Sequence, residues 1–152
     1  MASTITSGTL KITLTEQVIL NGRDQGSKNT LSIGSINEVS KRIITTNGTS
    51  QTAIVSFAAT PAGGFFVDGD VRYVRVTNLD DTNFATLVVT GDSSTNFAVR
   101  LDPGASYLVT STSTTGTADY ADISGTTLED LSQILATANT AAVDLEVFVA
   151  SA

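Results

Sequence analysis

Between Val71 and Ser111 the chain reads VRYVRVTNLDDTNFATLVVTGDSSTNFAVRLDPGASYLVTS. Four apolar-rich runs are cut by three turn clusters, Asn78-Leu79-Asp80-Asp81, Gly91-Asp92-Ser93-Ser94 and Asp102-Pro103-Gly104. Short β-prone runs separated by turn signals every 8–12 residues predict an all-β sandwich or barrel. The last cluster has a mechanism: Pro presets φ and Gly supplies φ > 0, so the flanking runs are joined by a tight turn.

The remainder of the chain agrees with this reading. Thr9 to Thr15 alternates Leu10, Ile12 and Leu14 against Thr9, Lys11, Thr13 and Thr15, a half-buried strand. Val18-Ile19-Leu20 ends at the turn dipeptide Asn21-Gly22, and Arg23 to Asn29 reads as a polar loop. Thr30 to Ile36 reads as a short strand whose Gly34-Ser35 marks a bulge. Asn47-Gly48 between Arg42–Thr46 and Gln51–Ala58 predicts a hairpin pairing those two runs. Val71 to Thr77 carries apolar residues on both faces, as a central strand does, with Arg72 and Arg75 pointing to opposite faces.

Ser111 to Thr117 is a polar connector. Thr126 and Glu129 fit a capping box for a single helical turn, followed by a strand from Gln133 to Thr137. Val143 to Val149 alternates cleanly as a closing strand. The expectation is an antiparallel β-sandwich, jelly-roll or immunoglobulin-like, of about nine strands with little helix. Residues 1–8 form an extended N-terminal arm and residues 9–152 a single domain, within the length prior for one domain.

Composition excludes much chemistry. The 152 residues contain no Cys, His or Trp, and 25 Thr and 16 Ser decorate the chain. Ser-His-Asp and Cys-His catalysis therefore lack their base, and a zinc site lacks its usual N and S ligands. No Ser stands three residues before Lys11, Lys28 or Lys41, so a Ser-x-x-Lys dyad is absent. A net charge of −7 with scattered basic residues opposes nucleic-acid and acidic-membrane binding. The MASTITSG start has no basic or apolar signal region, which predicts synthesis in a cytoplasm without secretion.

The carboxylate pairs Asp68/Asp70, Asp80/Asp81 and Asp119/Asp122 have the chemistry of a glycosidase pair, but each lies where Asp caps turns. Asp68, Asp70, Asn78, Asp80 and Asp81 offer hard oxygen ligands for Ca²⁺ without the spacing of a known loop. Asn47-Gly48-Thr49 matches the glycosylation pattern and reads as a turn. Tyr120, beside the polar connector, is the aromatic expected to be exposed as a ligand platform. No catalytic, cofactor-binding or metal residue is assigned, and no cofactor is expected.

One resemblance adds to this. The runs Arg72-Tyr73-Val74-Arg75-Val76-Thr77-Asn78, Asn83-Phe84-Ala85-Thr86-Leu87 and Phe97-Ala98-Val99-Arg100-Leu101-Asp102-Pro103-Gly104-Ala105-Ser106, with Val143-Asp144-Leu145-Glu146-Val147, resemble small β-sandwich virion proteins of tailed bacteriophages. The resemblance implies a non-enzymatic particle component residing in the virion. Its partners would be a major capsid protein or copies of itself, with no nucleic acid or membrane. A capsid decoration or cement protein, held by β edges and its arm, is the first expectation. A tail, fibre or baseplate module contacting host glycans is the second, and a stand-alone carbohydrate-binding module without Trp platforms is the third.

Overall fold

A computed structural model describes residues 5–61, 63–92, 96–111, 120–121 and 128–152. Fifteen strands are present among them, with a single 3₁₀ turn at Asp68–Asp70. The first four are β1 (Gly8–Thr15), β2 (Ile19–Leu20), β3 (Arg23–Asp24) and β4 (Lys28–Ile36). They stand apart from two larger sheets.

One large sheet has the order β11-β8-β15-β5, from Ser106–Thr110 (β11), Val71–Asn78 (β8), Val143–Ser151 (β15) and Glu38–Thr46 (β5). The other runs β10-β9-β14-β6-β7, from Asn96–Leu101 (β10), Ala85–Gly91 (β9), Leu131–Ala138 (β14), Thr52–Ala58 (β6) and Phe66–Val67 (β7). Tyr120–Ala121 (β12) and Leu128–Glu129 (β13) make a separate short pair. Among the described residues all pairings between the long strands are antiparallel, and only the β6–β7 pairing is parallel.

Numbering the eight long sandwich strands in chain order, the sheets read 6-3-8-1 and 5-4-7-2. This is the jelly-roll order rather than the immunoglobulin one. Alternation explains the layering. Val74, Val76, Leu87, Val89, Ile134, Leu145, Val147 and Val149 recur at period two and are buried between the sheets. Strand β8 is buried on both faces, because Tyr73 on its outer face is covered as well.

The hairpin pairing expected at Asn47-Gly48 is not formed. Runs β5 and β6 flank Asn47-Gly48 but lie in opposite sheets, β5 beside β15 and β6 beside β14. The Asn47 Oδ1 accepts hydrogen bonds from the Thr49 N–H at 3.1 Å and the Thr49 hydroxyl at 2.9 Å. The Asn47 carbonyl accepts from Ala138 N–H at 3.0 Å, and the buried Thr46 hydroxyl donates to the Ala136 carbonyl at 3.0 Å. The dipeptide thus turns a corner between sheets. Closing it as a hairpin would leave the apolar faces of β5 and β6 in one layer with nothing opposite.

The strands of Val71–Ser111 do not all lie side by side in one sheet. Only β9 and β10 are neighbours in both sequence and sheet; β8 to β9 and β10 to β11 cross between sheets. Leu128 and Glu129, expected in a helical turn, are in strand β13 instead, and Leu131 opens a strand longer than expected. Thr126 and Thr127 lie outside the described residues.

Candidate functional site

The N-terminal strands form one long hairpin. Leu10 pairs with Ile33, Ile12 with Leu31, Thr15 with Lys28, and the same register continues through Ile19 with Asp24 and Leu20 with Arg23. Between the strand pieces the ladder holds: Glu16 N–H donates to the Ser27 carbonyl at 2.8 Å and Gln25 N–H to the Val18 carbonyl at 2.7 Å. At the tip Asn21 (φ 51°) and Gly22 (φ 74°) both adopt positive φ, as a two-residue I′ turn requires. Near the base, two residues of β4, Gly34 and Ser35, oppose one of β1, with Ser35 at φ 61°. This is the bulge its sequence predicts. Gly26 is required for a different reason: a Cβ there would sit 2.0 Å from the Glu16 carbonyl oxygen.

The two halves of this hairpin meet different surroundings. At the base, Ile33 and Ile36 are buried against Tyr73 and Ala150 of the outer sheet face, with Leu10, Ile12, Leu31 and Phe148 packed around them. Tyr73 and Phe148 meet edge to face at 5.7 Å and 72°. Burial pushes the Tyr73 hydroxyl above its ordinary range, opposed by the charge of Arg75. Every residue from 13 to 30 is exposed. That span includes Leu14 (57%), Val18 (49%), Ile19 (66%) and Leu20 (60%), so the hairpin projects from the body with an apolar tip.

Where the hairpin leaves the sheet, a cleft of about 650 Å³ opens beneath it. Leu10, Ile12 and Leu31 line the hairpin side, while Tyr73, Leu108 and Phe148 form the sheet floor. Beside it Glu146 is held by Lys41 at 3.0 Å and by Arg75. The hydrogen bond from Lys41 and the two cationic charges depress the Glu146 carboxyl. This network fixes charge on the sheet face next to an otherwise apolar floor.

Two of the polar candidates, Asp80 and Asn78, cap a turn. Asp80 Oδ1 accepts from Thr82 N–H at 2.8 Å and Asn83 N–H at 2.5 Å, and those two backbone bonds, Asn83 first, depress its carboxyl. Asn78 is fully buried; its Nδ2 donates to the Asn83 carbonyl at 2.9 Å and the Leu101 carbonyl at 3.1 Å, and its Oδ1 accepts from Asp80 N–H at 2.9 Å. Asp80 and Asn78 therefore tie the β8–β9 turn.

Asp68 approaches Asp92 and Asp130. One carboxylate oxygen from each of these three lies within 4.8 Å of the others, and they are the described residues with the oxygen chemistry for a divalent cation. Asp68 Oδ1 already accepts from Gly69 N–H at 2.5 Å. Asp119, Asp122 and the Tyr120 side chain lie outside the described residues, as does the Thr112–Thr117 part of the polar connector.

The return half of the hairpin escapes the sequence reading: Arg23 to Asn29, read there as a polar loop, holds strand β3 and the start of β4. Its signal was present in Asn21-Gly22, but the return strand carries Arg23, Asp24, Gln25, Lys28 and Asn29 and has no apolar alternation. No family model matches this chain, and no curated protein or solved structure matches it either.

Proposed function

We propose that this chain is a non-enzymatic structural component of a tailed-phage virion, a capsid decoration or cement protein that grips its neighbours with the projecting hairpin. The observation that carries this reading is the fully exposed run from residue 13 to 30 with Leu14, Val18, Ile19 and Leu20 on it. A two-stranded hairpin is marginal in water by itself, and clustered exposed apolar side chains mark interaction sites. An assembly protein gains from such an arm because backbone edges and apolar contacts bind without charged anchors. The jelly-roll order is used by viral capsid domains as well as by lectins and cupins, so the fold supports the reading by analogy alone.

The test is to add the purified chain to preassembled tailed-phage capsid shells that lack it. Co-sedimentation and a raised shell melting temperature are expected. Both should be lost when Val18, Ile19 and Leu20 are changed together to Ser. Binding to host cells but not to shells would replace this reading with a tail or fibre module, and binding to neither would overturn it.

A further inference from the structure

We infer that the chain forms a two-fold dimer in which the open edge of β1 pairs with the open edge of β1 from a second copy. This rests on the hairpin being an assembly element and names its partner.

Three observations lead there. First, among the described residues β1 is hydrogen-bonded on one side only, to β4. Glu16 and Val18 bond across to the return strand. Lys11, Thr13 and Thr15 stand at the alternate positions, so their N–H and C=O groups point to the open side. That open edge borders the apolar cleft, whose lining includes Lys11, Thr13 and Leu14.

Second, the face that packs the hairpin onto its own sheet does not stop where the sheet ends. Leu10 and Ile12 sit on it at the base, and Leu14, Val18 and Leu20 continue it to the tip by strand alternation. The outer half of this stripe thus continues the hairpin–sheet interface, and a sheet face of the same chemistry suits it. The cleft floor provides one at Leu108, which is 43% exposed.

Third, the charges permit self-pairing despite the net charge of −7. From Leu10 to Glu16 the edge carries one Lys and one Glu, and antiparallel pairing about Thr13 sets Lys11 opposite the partner's Thr15 and Glu16 opposite the partner's Leu10, so no like charges face each other.

A two-fold axis near Thr13 satisfies all three. Antiparallel pairing keeps Leu10, Ile12 and Leu14 of both copies on the sheet-facing side, with Ile12 opposite the partner's Leu14. Each projecting half then lies along the base of the other hairpin and over the other cleft. Such an isologous contact closes on itself, so it yields a dimer rather than a filament.

The experiment is light scattering with size-exclusion chromatography on the full chain at micromolar to sub-millimolar concentration. A dimer is expected. Thr13→Pro removes an outward N–H without touching the β1–β4 ladder, and should raise the dimer dissociation constant by about tenfold or more while leaving the circular dichroism unchanged. Because the chain has no cysteine, Thr13→Cys should cross-link into a covalent dimer under mild oxidation, whereas Thr60→Cys should not. A monomeric wild type overturns the inference, and so does an oligomer indifferent to Thr13→Pro whose Thr13→Cys form stays uncross-linked. A monomer that still binds capsid shells would sink the dimer alone. A dimer that ignores shells would sink the virion reading alone.

Discussion

Ile33→Ala should release the hairpin from the body without unfolding the sandwich. Ile33 is 4% exposed and belongs to the cluster with Ile36, Tyr73 and Ala150, which is separate from the main core between the sheets. Burying an Ile side chain contributes about 1.5–3 kcal/mol. Truncating it to Ala also leaves a cavity, and such changes cost about 2–5 kcal/mol. This site lies between two elements that can close up, so about 3 kcal/mol is expected.

The hairpin has little stability of its own, so that loss falls on its docking. Opening of the hairpin should rise about a hundredfold, since each 1.4 kcal/mol is a factor of ten. Native-state hydrogen exchange read by mass spectrometry measures this directly. Amides of β1 and β4 should lose about two decades of protection, while those of β8, β9, β14 and β15 keep theirs. Equal loss in the sandwich strands would refute the reasoning, because the hairpin would then be part of one cooperative core.

Asn78→Ala should be more damaging to the whole domain. It strands two carbonyls and one N–H at a buried site, each costing about 1–3 kcal/mol, so a melting temperature lower by about 10 °C is expected in calorimetry. Stability should also fall in acid. The carboxyls of Asp80 and Glu146 are depressed below their ordinary values of 3.8 and 4.5, so the unfolded chain takes up protons first as pH drops. Their contribution is complete above those values and is lost as pH falls through the depressed ones. Urea titrations across that range should show a shallower decline for Asp80→Asn and Glu146→Gln than for the wild type.

Much of the sandwich is legible in the amino-acid sequence itself. In β15 and β9 every second residue is apolar, and a strand with one face in a core needs only that period to declare itself. Gly34-Ser35 declared a bulge and Asp80 a turn cap, because both depend on interactions within a few residues. Pairing partners did not show themselves. Asn47-Gly48 carries the local chemistry of a hairpin, yet Ala138 and Ala136, some 90 residues on, hold Asn47 and Thr46 at a corner between sheets.

The hairpin divides the two kinds of information most clearly. The sequence alone determined that Leu10, Ile12 and Leu14 share a face and that Asn21-Gly22 turns the chain, since alternation and positive φ are local properties. Only the tertiary structure decided that Leu10 and Ile12 are covered by Tyr73 and Phe148 while Leu14, Val18 and Leu20 run past the edge of the sheet into solvent. The same apolar stripe is core at one end and exposed surface at the other. Its period is identical along its length, and what differs is where the supporting sheet, built from strands far away in sequence, comes to an end.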